Sequence, residues 1–188
     1  MFKIIVFLAF TVAACYGAPG GGGTYCGETP DATLKCLNAP SVVSPDASLK
    51  CASEVQTSSA CDKLNCLFRE SKWLDGTAVD KTKMTAVFNQ LAKDHPEWSP
   101  AVQHLKAACL GNELKAQGIY LNCPAYDVMH CVVTSFIKQA SPTQWSTSAE
   151  CSYPRAYAAA CPVCPTDCFW RQVPTGSCNA CLLLPRSP

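Results

Sequence analysis

The chain has no apolar run approaching the ~20 residues that span a bilayer, so no helical membrane anchor is expected. It has little charge, and no excess of one sign. Lys and Arg number 15 against 14 Asp and Glu, and charged residues make up 15% of 188. Such a balance does not point to nucleic acid or an acidic membrane surface as a partner. No Asn-X-Ser/Thr acceptor is present. No Gly-x-Ser-x-Gly, His-Glu-x-x-His or phosphate-loop motif occurs, so nothing marks a catalytic constellation. Nor does any segment repeat at a fixed interval.

What the chain has in quantity is cysteine, 15 in all, within a composition that is 48% hydrophobic. Its N-terminus explains the odd number. Met1-Phe2-Lys3 is a short basic start, and Ile4 to Ala14 is an apolar run too short to span a membrane. Cys15-Tyr16-Gly17 places small residues where a signal peptidase looks. Residues 1–17 therefore read as a secretory signal peptide and the protein as secreted. Cleavage after Gly17 removes Cys15 from the 15 and leaves fourteen, an even number suited to complete oxidative pairing. It also removes Lys3, leaving 14 basic residues against 14 acidic. The cysteines expected in bridges are Cys26, Cys36, Cys51, Cys61, Cys66, Cys109, Cys123, Cys131, Cys151, Cys161, Cys164, Cys168, Cys178 and Cys181.

The segment expected to organise the chain runs from Cys61 to Gly76. Leu64, Leu67 and Phe68 recur at helical spacing, Ser59 is placed to cap, and Asp75-Gly76 is a turn signal. Cys61 and Cys66 are more than one turn apart and should reach different neighbours, so a helical shell stapled around this segment is expected. Before it, residues 18–25 hold a glycine run and read as a flexible lead-in. Residues 25–40 carry Cys26 and Cys36 among turn residues. Pro45 to Val55 reads as a short helix.

After it, Asp80 is placed to cap a helix over Lys81 to Asp94. Met84, Val87, Phe88 and Leu91 form its apolar stripe. His95-Pro96 stops that helix. Ser99-Pro100 restarts one, with Ser as cap and Pro in the first turn, and Gly111 closes it. Lys115 to Asn122 has no clear period. Cys123-Pro124 opens another helix, with Met129, Val132, Val133 and Phe136 on one face, and Ser141-Pro142 breaks it. Ser146 or Ser148 begins a short helix to Ala160, in which Pro154 is tolerable only near the first turn. From Cys161 to Pro188 cysteines and prolines alternate without a helical period. The expected architecture is all-α: a disulfide-stapled helical bundle over 26–160 enclosing an apolar cavity, with an irregular cysteine-rich extension over 161–188.

Cys161-x2-Cys164 and Cys178-x2-Cys181 have zinc-site spacing. Behind a signal peptide the oxidising route favours disulfides instead. Cys168, between the pairs, leaves pairing with Cys151 or Cys109 open. No metal and no cofactor are expected.

The ordered set over residues 26–162 resembles the insect odorant-binding proteins. The set comprises a helix with two close cysteines, Leu74-Asp75-Gly76, an amphipathic helix, Cys109, and a helix with His130-Cys131-Val132. Pro142-Thr-Gln-Trp145, Ala149-Glu150-Cys151, Tyr157 and Cys161-Pro162 are similar to the enlarged Plus-C subgroup. Two features depart from the pattern. The central pair is Cys-x4-Cys where the family has Cys-x3-Cys, and Ala140-Ser141 stand where a further cysteine is expected. The resemblance implies bridges Cys36–Cys66 and Cys61–Cys131. It leaves Cys109 free or paired elsewhere, with Cys123 or a tail cysteine. It also implies a monomeric or weakly dimeric carrier that is not an enzyme, uses no cofactor, and takes small hydrophobic odorants or pheromones through extracellular fluid, with an olfactory receptor as a further partner.

On that reading the pocket walls are Phe68, Trp73, Met84, Val87, Phe88, Leu91, Met129, Val132 and Phe136, because aromatics and Met suit adaptable apolar pockets. Ordinary helix–helix core competes with that role at every one of these positions. Trp98 and Trp145 are expected to pin loops. Of His95, His104 and His130, the last two fall on helices. A histidine that charges near pH ~6.5 is a means of releasing ligand on acidification.

Overall fold

The computed structural model describes residues 24, 26, 28–54, 58–111, 114, 117, 120 and 122–165. The signal-peptide and glycine-run expectations lie outside those residues, as do Cys168, Cys178 and Cys181. Seven α-helices occur among the described residues: α1 (Thr33–Cys36), α2 (Pro45–Glu54), α3 (Ala60–Glu70), α4 (Lys81–Asp94), α5 (Ser99–Ala108), α6 (Pro124–Gln139) and α7 (Ser152–Ala160). The all-α, disulfide-stapled expectation is met. Among the described residues no helix is long and apolar enough to cross a membrane.

Two helices begin where their caps predict. Ser59 accepts from the Asp62 N–H and Asp62 returns a bond to the Ser59 N–H, a reciprocal capping box. Asp80 accepts from the Lys83 N–H, and its carboxyl is held below the usual carboxylate range by Lys83, whose ammonium also binds it at 2.8 Å. Pro124 starts α6 behind Cys123, at a position whose N–H would find no helical partner. Ser99 lies inside α5 rather than at its cap, because a 3-10 turn, Pro96–Trp98, runs directly into that helix. The predicted helix at 146/148–160 is likewise a 3-10 turn, Ala149–Cys151, followed by α7, with Pro154 in its first turn.

The stop after α3 differs from expectation. The helix ends at Glu70, and Lys72 takes the left-handed conformation (φ 60°) that closes it. Gly76 (φ 61°) instead makes the turn between β1 (Leu74–Asp75) and β2 (Ala78–Val79), an antiparallel hairpin with Leu74 opposite Val79. At Gly111 the constraint is space, since a Cβ there would lie 2.7 Å from the Ala107 carbonyl oxygen. The Lys81 ammonium donates to the Gly111 carbonyl and so ties the start of α4 to the end of α5.

The organising element is α6, not the Cys61–Gly76 segment. It packs against α3, α5, α7 and β2, whereas α3 meets α2 and α6. Between Ala125 and Ile137 every side chain of α6 is buried or half-buried, because these four neighbours surround it.

The bridges also correct the implied pairing. They are Cys26–Cys161, Cys36–Cys151, Cys51–Cys66, Cys61–Cys123 and Cys109–Cys131. Cys164 is disulfide-bonded too. Cys61 and Cys66 do reach different neighbours, α6 and α2. Neither Cys36–Cys66 nor Cys61–Cys131 forms, and Cys109 takes Cys131 rather than Cys123. Cys151 and Cys109 are therefore unavailable to Cys168, and Cys161 and Cys164 are not zinc thiolates.

The bridges act on different loop lengths. Cys36–Cys151 closes a separation of 115 residues, worth about 5 kcal/mol by loop-closure entropy. Cys26–Cys161 spans 135, but with the first closed it adds only the flanks between the two, a loop near 20 residues and about 3 kcal/mol. Together they lock α1 onto α7.

Candidate functional site

The predicted pocket residues divide into two groups. Phe68, Met84 and Phe88 are each 0% exposed, and Trp73 is 4% exposed. They sit in the core with Leu105, Val102 and Cys109, and Phe68 meets Trp73 edge to face at 5.3 Å. Met129 packs half-buried against the same core. None of these five lines any of the four clefts described at the surface.

Val87, Leu91, Val132 and Phe136 form the second group: Leu91, Val132 and Phe136 belong to the same buried core and Val87 packs half-buried against it, but all four also border clefts. One cleft of about 280 Å³ lies between Val87, Leu91 and the Ser41–Val42 stretch, and Gln90, Asp94 and His95 line it as well, Gln90 donating to Asp94 at 2.9 Å. Another of about 250 Å³ has Val132, Val133 and Phe136 on its α6 wall and Leu34, Leu37, Val42 and Val43 opposite. Ser41 and Val42 line both, so the two clefts adjoin at this stretch of the irregular segment 37–43, as the halves of a divided trough. Each half opens to solvent.

The segment is pinned at its root. Leu37 bridges to Trp145, the Asn38 N–H donates to the Gln144 carbonyl (2.8 Å) and the Ser146 N–H to the Cys36 carbonyl (2.8 Å). Gln144 is buried and donates in turn to the Glu97 carbonyl (3.0 Å). Trp145 and Trp98 thus hold connections, as expected, and Trp98 packs on Phe136 at 5.2 Å beneath the trough. The Ser41 hydroxyl, the one polar side chain in the α6 half, donates to the Val43 carbonyl at 2.7 Å. Nothing polar in that half is left seeking a partner. An apolar molecule seated there gains roughly 25 cal/mol per Å² of surface taken from water and meets no orienting charge. The sequence gives no sign of this partition, since Ala39 to Val43 has neither helical nor strand period.

Two further clefts also combine apolar walls with charged side chains. Val79, Leu114, Pro124 and Val128 wall a space of about 320 Å³ together with Lys81 and Asp127, both hydrogen-bonded. Ile137, Trp145 and Ala158 wall a space of about 210 Å³ together with Lys138 and Arg155.

His104 and His130 behave differently. Ser135, buried on α6, donates to the Cys131 carbonyl (2.9 Å), so His104 Nδ1 at 3.0 Å is the donor to Ser135. His130 lies along the Tyr126 ring, stacked at 11°, and its Nδ1 is buried without a partner. Burial lowers its pKa to about 4, because the imidazolium would lose its hydration with nothing in exchange. A charge change on His130 near pH ~6.5 does not occur in the fold. Among the described residues no cluster of His, Cys, Asp or Glu is arranged to hold a metal ion.

No protein-family model matches this chain, and no curated protein matches it either.

Proposed function

We propose that the protein is a secreted carrier of small hydrophobic ligands, seated in the trough that segment 37–43 divides between α4 and α6. The observation that supports this is the trough's lining. Val87 and Leu91 from one predicted stripe and Val132 and Phe136 from the other lie on either side of Val42, with the one hydroxyl of the α6 half satisfied internally and Gln90 of the α4 half donating to Asp94. Each half, about 280 and about 250 Å³, lies just under the roughly 300–1,000 Å³ common for ligand pockets, which limits the ligand to a small one. Odorants, pheromones and other semiochemicals are ligands of the right class, and a receptor is a fitting destination. Long-loop disulfides suit a protein made for extracellular fluid.

A second reading is a secreted structural or interaction protein without a ligand cavity. The closely packed Phe68, Trp73, Met84 and Phe88 favour it. Native mass spectrometry of the oxidised protein equilibrated with 1-decanol separates the two. The carrier reading expects one saturable adduct that leaves on gentle activation. No adduct, or adducts that accumulate without limit, would overturn it in favour of the structural reading.

A further inference from the structure

The cleft at the junction of α6 and α7 has a different chemistry from the trough. Its walls are Ile137, Ala140, Pro142, Trp145, Ala158 and Ala159, and its polar edge is two cations, Lys138 and Arg155. No carboxylate lines it. The two cations are not equivalent. Lys138 donates to the Ala158 carbonyl (2.6 Å) and the Cys161 carbonyl (2.9 Å), so two of its three protons cap the end of α7. Arg155 is half-buried and takes part in none of the hydrogen bonds or ion pairs among the described residues. A half-buried guanidinium that lines the same cleft as a buried indole, with its planar fork unused, is placed to take an anion.

We propose that this cleft binds a small amphipathic carboxylate, with the carboxylate on the Arg155 fork and a short apolar chain along Trp145, Ile137 and Ala159. A carboxylate matches a single guanidinium in charge and in two-point geometry. The volume of about 210 Å³ is that of about seven liquid waters, which suits a head group and a few methylenes but not a lipid headgroup with two tails. The site goes beyond the trough and does not depend on it: the α6 half of the trough has no charged side chain and the α4 half has a carboxylate, whereas this cleft offers a cation.

The test is a titration of the full oxidised chain, followed by 1H–15N correlation spectra, with octanoate and with 1-octanol. Octanoate is expected to shift the Trp145 indole and the Ala158 and Ala159 amides saturably. Octanol should leave them in place at the same concentration. Arg155→Gln should weaken octanoate by at least about tenfold at those signals, and Arg155→Lys should recover part of the loss. Octanoate shifts of equal affinity in Arg155→Gln would overturn the proposal, as would equal response to octanol or no response at millimolar octanoate. If Arg155→Gln does not fold, the Arg155→Lys comparison and the octanol arm still decide. Signals from Val42 and Val133 report the trough separately, so either site can fail without the other.

Discussion

Two faces of α6 meet their neighbours in different ways. Toward α5, Cys131 is bridged to Cys109, and buried Ser135 binds His104 at 3.0 Å, so the interface is closed by covalent and polar links as well as packing. Toward segment 37–43, Val132, Val133 and Phe136 face residues with no regular structure, and clefts remain between them. Side chains of two helices form ridges that fill one another's grooves. An irregular segment presents no such ridges, and a cleft stays open beside Val133 even though Val132 and Phe136 are nearly fully buried. Stripes of similar composition thus become closed core on one side and the wall of a cleft on the other, depending on what lies across from them.

The largest effect expected is on the closed side. Phe88→Ala removes a fully buried ring and should cost about 3–5 kcal/mol, read as a drop in denaturant midpoint. A cost below about 1 kcal/mol would mean that the interior is loosely filled. Next is the double change Cys109→Ser with Cys131→Ser. Its separation of 22 residues corresponds to about 3 kcal/mol, with α5 and α6 still packed by Val102, Leu105 and Val128. Loss of helical circular dichroism at room temperature would show that the bridge, not packing, closes that face.

His130 gives a pH-dependent contrast. Its folded pKa, about 4, lies below the unfolded value near 6.5. Its contribution is therefore fully present above pH ~6.5 and falls away toward pH ~4, by about 2–3 kcal/mol. His130→Gln should flatten the melting temperature over that window. An unchanged profile in the variant would place the pH dependence elsewhere. The smallest effect is expected at the surface. Lys50 binds Glu70 at 2.9 Å, raising the lysine pKa and lowering the carboxyl's through the shared hydrogen bond, but both are solvated. Lys50→Ala should leave the melting temperature unresolved from that of the parent protein, while exchange of α2 amides speeds up.

The sequence revealed most where a cap and a period agreed. Lys81–Asp94 and Pro124–Gln139 were legible from Asp80, Pro124 and their stripes. The single turn Thr33–Cys36 was not, because four residues carry no period to detect. Bridge partners were not legible either, since spacing along the chain says nothing about which helices meet. The implied Cys36–Cys66 failed for that reason: Cys66 lies beside α2, and Cys36 beside Cys151. At the site, the stripes identified apolar walls but not which would face a groove. That choice rests on segment 37–43, held by Leu37 and Trp145 from more than a hundred residues apart in sequence.

The central claim is that Val42 stands within a ligand seat. It is tested most directly by the affinity of a neutral fluorescent naphthylamine probe for the parent protein, Val42→Asp and Lys83→Ala. Val42 lines both halves of the trough from an irregular segment, so a charge there should spare the fold, whereas Lys83 lies at the surface paired with Asp80. The account predicts saturable binding to the parent and to Lys83→Ala, and at least about tenfold weaker binding to Val42→Asp. Equal affinity in all three, or no saturable binding to the parent, would contradict it.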